Sequence, residues 1–290
     1  MQTSNYVGRF APSPTGPLHF GSLLTAFASY CDAKANGGEW LIRIEDTDIP
    51  RIAKGSTSDI LACLDAFALH SDRPIIYQSQ RLDIYQDVIA QLKQQHLVYA
   101  CQCSRKILGS NHIYQGTCRH LNLEFEKQAI RLKVDDQLIC FDDRLQGRQC
   151  SNLQQDLGDF ILQRRDGIVS YQLAVVVDDA LQHVTDVVRG ADLLDNTARQ
   201  IWLGQQLNYP KLSYLHLPLA MNVHGQKLSK QNLAQALDFS NAPYYLANIA
   251  QVLGQLPLDI DHPEQMLKQA VSQWQVEKIT QSTQLDGVFT

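Results

Sequence analysis

The sequence predicts an α/β fold organised on a parallel sheet, and three observations carry that prediction. Strand-length apolar runs alternate with stretches of helical period along most of the chain. A Pro- and Gly-rich loop, Arg9 to Ser22, lies between a short apolar run and a helix-forming run. A dense acidic cluster, Glu45-Asp46-Thr47-Asp48, closes the second apolar run. In open parallel sheets, ligands bind at that end of the strands.

The elements follow in order. Tyr6-Val7-Gly8 reads as a strand and Leu23 to Tyr30 as a helix, stopped by Asn36-Gly37-Gly38. Trp40 to Ile44 reads as a buried strand. Ser58 to Leu69 and Arg81 to His96 place apolar residues at helical spacing, and Leu97 to Ala100 is a short strand. Ala129 to Cys150 alternates strands with polar turns. The Val-rich run Ile168 to Val177 is predicted as a strand, as is Val184 to Arg189. A helix is expected from Leu193 to Leu207, and a last short strand over Leu215 to Leu219. Beyond about residue 235 the pattern is mostly helical, with Pro263 placed to open one helix. The domain reading is a catalytic unit over 1–235, interrupted by an insertion at about 98–190, then a helical region over 236–290.

Composition narrows the function classes. Of 290 residues, 44% are hydrophobic and 19% charged, ordinary values for a globular chain. No apolar run reaches about 18 residues, so no membrane span is expected. The opening residues Met1 to Asn5 carry no basic segment followed by an apolar one, and a cytoplasmic location is expected. A net charge of −5 gives no global field for nucleic acid, so such a partner needs a local patch. Arg51, Lys54, Arg164 and Arg165 are candidates for one. Seven scattered cysteines argue against a disulfide framework. Cys31 and Cys63 read as core residues, and Cys140 and Cys150 have no evident partner.

Three constellations carry chemistry. In the first, His19, Gly21 and Ser22 stand where a helix opens after a tight loop. The unpaired N–H groups and dipole of a helix start suit phosphate, and a glycine lets a ligand approach the backbone. The second is Lys227-Leu228-Ser229-Lys230, a loop whose lysines can neutralise charge building on a transferring phosphate. The third is Cys101-Gln102-Cys103 with Cys118 downstream, a spacing that suits a structural zinc knuckle. On residue chemistry alone its fourth ligand would be His112 or His120.

Together these motifs resemble the class I aminoacyl-tRNA synthetases. Arg9 to Ser22 looks like their "HIGH" signature, and Lys227 to Gln231 looks like their "KMSKS" loop. The glutamyl branch is the nearer match, on Phe10 to Gly16, Arg43 to Asp48, Val177-Asp178-Asp179 and Val184 to Arg189. The resemblance implies a Rossmann-like sheet with an inserted zinc-binding, acceptor-type subdomain. It implies ATP-dependent activation of L-glutamate, with Mg²⁺ accompanying ATP. His19, Gly21, Ser22, Lys227, Ser229 and Lys230 would bind ATP, with His19, Lys227 and Lys230 catalytic. Arg9, Ala11, Ser13, Glu45, Tyr171 and Arg189 would bind glutamate. The family pattern also makes Tyr114 the fourth ligand of one Zn²⁺, beside Cys101, Cys103 and Cys118.

Three departures from full-length glutamyl-tRNA synthetases stand out. Ser22 and Gln231 end the two signatures, Val175 stands where those enzymes carry Asn, and too little chain follows Lys230 for an anticodon-binding domain. Val175 is expected to remove a polar partner from the pocket. The shortened architecture resembles the glutamyl-Q tRNA(Asp) synthetase family. That resemblance implies transfer of glutamate to queuosine in the anticodon stem-loop of tRNA(Asp), by a monomer. Charging of a tRNA 3′ end, or a non-catalytic tRNA- or nucleotide-binding role, are the alternatives.

Overall fold

The computed structural model describes residues 6–104, 113–222 and 237–289. In chain order the first half comprises β1 (Val7–Phe10), α1 (Phe20–Ala35), β2 (Glu39–Ile44), α2 (Ser56–Ala66), β3 (Ile76–Tyr77), α3 (Leu82–Gln94) and β4 (Val98–Cys101). There follow β5 (Ala129–Leu132), β6 (Leu138–Asp143), β7 (Gly147–Asn152), β8 (Phe160–Gln163), α4 (Tyr171–Leu181), β9 (Asp186–Gly190) and α5 (Thr197–Gln206). The last elements are β10 (Ser213–Leu217), β11 (Leu219–Asn222), α6 (Ala242–Val252), α7 (Pro263–Ser272) and β12 (Gln284–Phe289).

The expected parallel sheet is present. β1 pairs parallel with β2 from Val7↔Glu39 to Phe10↔Ile42, and β2 pairs parallel with β3. On the other side β9 pairs parallel with β10, from Ser213↔Asp186 to Leu217↔Gly190. β10 in turn meets β6 at Tyr214↔Asp143. The two halves join at Val7, whose N–H donates to Thr185 Oγ1 and whose carbonyl accepts from Thr185 N–H, both at 2.9 Å. Helix α1 covers this junction, with Leu23, Ala26, Phe27, Ala28, Cys31 and Ala33 essentially buried. It ends at Asn36, followed by Gly37 at φ +68, a left-handed turn that glycine adopts without a Cβ clash. At Gly38 a Cβ would lie 2.4 Å from the Tyr6 carbonyl oxygen, so only glycine lets the chain enter β2 this close to Tyr6.

A second sheet, antiparallel in the order β4-β5-β8, carries the cysteine segment. The span expected as one insertion, 98–190, therefore contributes to both sheets: β6 and β9 belong to the sheet of β10.

Several local expectations are corrected. The Val-rich run is not a strand. Ile168 to Ser170 is extended, and Ser170 then caps α4 by accepting from Leu173 N–H. Leu173 through Asp179 are all buried, so the run packs on every side. Burial on all faces erases the one-sided pattern of a surface helix, and β-branched residues then mimic a strand. Cys140 and Cys150 do have a partner: each other. They stand directly opposite in the β6–β7 hairpin and form a disulfide. The C-terminal region is not wholly helical, because β12 pairs parallel with β11.

One polar cluster ties α1 to distant parts of the chain. Asp32 is fully buried on α1. It accepts from Arg144 Nη1 and Nη2 at 2.6 and 2.9 Å, from Trp274 Nε1 at 3.1 Å, and from the Tyr6 hydroxyl.

Candidate functional site

A cleft of about 920 Å³ opens at the C-terminal ends of β1, β2, β9 and β10. Arg9, Ala11, Ser13, His19, Gly21, Ser22, Glu45, Tyr171 and Arg189 all line it. The two halves of the sheet meet here, which is the kind of crevice where open parallel sheets bind ligands. Lys227, Ser229 and Lys230 lie outside the described residues.

The loop after β1 runs over the strand ends and delivers His19 to the N-cap of α1. There His19 Nδ1 accepts from Ser22 N–H at 3.3 Å, and its Nε2 lies 3.0 Å from Ser22 Oγ. No acidic side chain occupies the first turn of α1, so nothing there opposes an anion at the positive end of the helix dipole.

Beneath the cleft lies a buried ionic lattice. Asp179 on α4 accepts from Arg9 Nε at 3.1 Å and Nη2 at 3.3 Å, and from Arg43 Nη1 at 2.8 Å. Arg43, fully buried on β2, also donates to Gln182 Oε1 at 2.8 Å and to Glu45 Oε1 at 3.2 Å. Asp178 is closed off by Gln78 Nε2, Arg81 Nε and the Tyr85 hydroxyl, at 2.7–2.8 Å. Burial works against the Asp179 carboxylate, yet Arg9 and Arg43 hold its pKa below the ordinary value. Glu45 shifts the other way. Burial raises its pKa, and Arg43 and Arg9 offset only part of the rise.

Arg189 contrasts with both other arginines. It is only 4% exposed. Its guanidinium donates to Gln200 Oε1 at 2.7 Å, Thr197 Oγ1 at 2.8 Å and His216 Nε2 at 3.0 Å. The Tyr171 hydroxyl is 3.5 Å away. Every one of these acceptors is uncharged. Among the described residues no carboxylate lies within 4.0 Å of Arg189, whereas Arg9 and Arg43 have Asp179 and Glu45. A buried cation without a counter-ion is costly, and one that borders a cleft can receive an anionic ligand.

The sequence reading missed Arg43, Gln182, Gln200, Asp143 and His216. Arg43 had a usable signal, as the only charge in the apolar run Trp40 to Ile44. A cation at such a position must find a buried partner. Val175, expected to alter the glutamate pocket, is packed in the apolar core and does not line the cleft.

The cysteine segment forms a separate site on the second sheet. Cys101, Cys103 and Cys118 bring their sulfurs within 4.8 Å of one another. The Tyr114 hydroxyl sits 3.4 Å from Cys101 Sγ and 3.6 Å from Cys103 Sγ, and accepts from Cys118 N–H at 3.0 Å. Arg131 Nε donates to Cys101 Sγ at 3.3 Å, and its guanidinium carbon lies 3.9 Å from the Tyr114 ring centre. Cys101, Cys103 and Cys118 could hold a metal ion. His112 lies outside the described residues.

The family model for the catalytic domain of class I tRNA synthetases (E and Q) matches residues 6–246. A protein from Acinetobacter baylyi named glutamyl-Q tRNA(Asp) synthetase is 68% identical over 284 residues, covering 98% of this chain and 97% of its own. A protein of that name from Neisseria meningitidis serogroup B is 47% identical over 287 residues, covering 94% and 97%. Among solved structures, a glutamate tRNA ligase from Elizabethkingia meningosepticum, in complex with its amino acid, matches with a TM-score of 0.81 at 25% identity. The match covers 96% of this chain but spans 66% of that protein's length.

Proposed function

The chain belongs to the glutamyl-Q tRNA(Asp) synthetase family, within the class I tRNA synthetases (E and Q), and on that premise we propose its reaction. It activates L-glutamate with ATP in the absence of tRNA, then transfers the glutamyl group to the queuosine base of tRNA(Asp). In the first step a glutamate carboxylate oxygen attacks the α-phosphorus, and pyrophosphate leaves. In the second a hydroxyl of the modified base attacks the acyl carbon, and AMP leaves.

The observation that carries this reading is Arg189, a buried cleft-side cation with uncharged partners only among the described residues. It would take the side-chain carboxylate, with the Tyr171 hydroxyl beside it. Glu45 would receive the ammonium group, held in place by Arg43. Arg9, Ala11 and Ser13 form the adjoining wall. His19, Gly21 and Ser22 would receive ATP phosphates at the start of α1. Lys227, Ser229 and Lys230 would complete that subsite and stabilise the charge of the transition state. Mg²⁺ bound with ATP would neutralise phosphate charge. Cys101, Cys103 and Cys118, with Tyr114, would hold one structural Zn²⁺. The donor set fits, since three thiols and a phenol already face one point. Among the described residues no helix is long and apolar enough to cross a membrane. A cytoplasmic monomer is part of the proposal.

ATP–pyrophosphate exchange tests the first step. Glutamate-dependent exchange without RNA is expected, and Arg189→Ala is expected to lower kcat/KM for glutamate by roughly 10²- to 10³-fold. An exchange-inactive wild-type protein would refute the activation step. Queuosine-bearing tRNA(Asp) stripped of its 3′-terminal nucleotide should still accept labelled glutamate. Loss of acceptance would move the acceptor to the 3′ end.

A further inference from the structure

Arg189 is held from behind by a pair of buried groups that do not line the cleft. His216 on β10 is fully buried. Its Nδ1 lies 2.6 Å from Asp143 Oδ2, and its Nε2 receives the N–H of Arg189 Nε at 3.0 Å. An arginine can only donate, so Nε2 must present its lone pair and the ring proton must sit on Nδ1, facing Asp143. Asp143 is itself fixed, because its Oδ1 accepts from the backbone N–H groups of Leu145, Gln146 and His216 at 2.9–3.2 Å. The chain Asp143–His216–Arg189 thus has one consistent direction of donation, from the arginine inward and from the imidazole to the carboxylate.

We infer that His216, oriented by Asp143, is a positioning residue that aims the Arg189 guanidinium at the amino-acid carboxylate, and that it does so only as the neutral imidazole. The inference rests on the assignment of Arg189 to glutamate given above. Protonation of His216 would turn Nε2 into a donor facing a donor, and Arg189 would lose its rearmost anchor. The charged groups that face His216 are Asp143 on β6, Arg189 on β9 and Arg9 on β1; α5 contributes the Thr197 hydroxyl at 3.2 Å, and Tyr214 stacks from the same strand. Burial lowers the imidazole pKa, Arg189 and Arg9 add to that, and the hydrogen bond to Asp143 opposes it. The neutral form therefore prevails at neutral pH, and the switch lies below the ordinary imidazole value of about 6.5.

The test is the KM for glutamate and for ATP in pyrophosphate exchange, from about pH 5 to about pH 8. For the wild type, KM for glutamate should rise on the acid side while KM for ATP stays level. His216→Leu should raise KM for glutamate about ten-fold at neutral pH, as loss of a hydrogen bond to a charged group does. His216→Gln, whose amide oxygen can replace Nε2 as acceptor, should recover part of that loss and show a smaller acid-side rise than the wild type, the remainder belonging to protonation of Glu45. A flat wild-type profile, which needs no variant to fold, would overturn the inference, as would parallel changes in both KM values. An unchanged KM for glutamate in Arg189→Ala would instead overturn the substrate assignment beneath it.

Discussion

Asp179 is the side chain on which two strands and a helix depend. It neutralises Arg9 from β1 and Arg43 from β2 while sitting on α4, and all three are buried. Asp179→Asn keeps the shape but removes the charge, leaving two buried guanidinium groups short of a partner. Urea unfolding is expected to show a loss of about 3–5 kcal/mol, the usual consequence of breaking a buried pair. Asp142→Asn makes the matching control, since Asp142 pairs with Arg148 on the exposed face of the β6–β7 hairpin. That change should cost less than about 1 kcal/mol. Equal losses would mean that the buried lattice contributes no more than a surface pair.

Among the elements, the cysteine segment depends on a single backbone crossing. Gly158 adopts φ +64, and a Cβ there would lie 2.5 Å from the Tyr114 carbonyl oxygen and 2.6 Å from its nitrogen. Gly158→Ala is expected to push Tyr114 off its position between the three sulfurs and to lower the zinc content of purified protein, read by elemental analysis. Unchanged zinc at an unchanged thermal midpoint would remove Tyr114 from the ligand set. Elements of this kind differed in how plainly the sequence announced them. The Cys-x-Cys pair and the loop before α1 were legible because their chemistry is local: a few residues create the site by adjacency. The alternation that marks β1, α1 and β2 was legible for the same reason. Helix α4 was not, since a run buried on every side keeps no polar face from which to read a period. His216 and Gln200 were invisible because their role exists only through Arg189, brought to them from another strand. The Cys140–Cys150 link likewise needed the β6–β7 register before the two thiols could be paired.

At the scale of the molecule, the buried titratable groups set how stability responds to acid. Asp143 and Asp179 both keep pKa values below the ordinary carboxylate, against the pull of burial, through His216 and through Arg9 with Arg43 respectively. Their contribution is complete above about pH 3.9 and is lost as pH falls through their lower native values. His216 has a lowered pKa, so below about pH 6.5 the unfolded chain takes up a proton that the native core resists. Glu45 acts in the opposite sense. Its raised pKa means that acidification toward about pH 4.3 favours the native state. Between those limits the two act in opposite senses, and the thermal midpoint should drop steeply below about pH 3.9, where Asp143 and Asp179 both lose their contribution. Circular dichroism melts across this range check the shape. A steep fall that begins near neutrality would show that the lattice does not govern the acid response.

The cluster around Asp32 adds a dimension of time. Its carboxylate is made in the first helix, but Arg144 stands 112 residues downstream and Trp274 stands 242 residues downstream. At roughly 5–20 residues per second of synthesis, on the order of tens of seconds separate the acid from its last partner. Until Arg144 is made, α1 can form, but it cannot bury Asp32 without leaving the charge unmatched. The nascent amino-terminal half is therefore expected to wait, partly open, until Arg144 supplies the counter-charge, with the hydrogen bond from Trp274 added later.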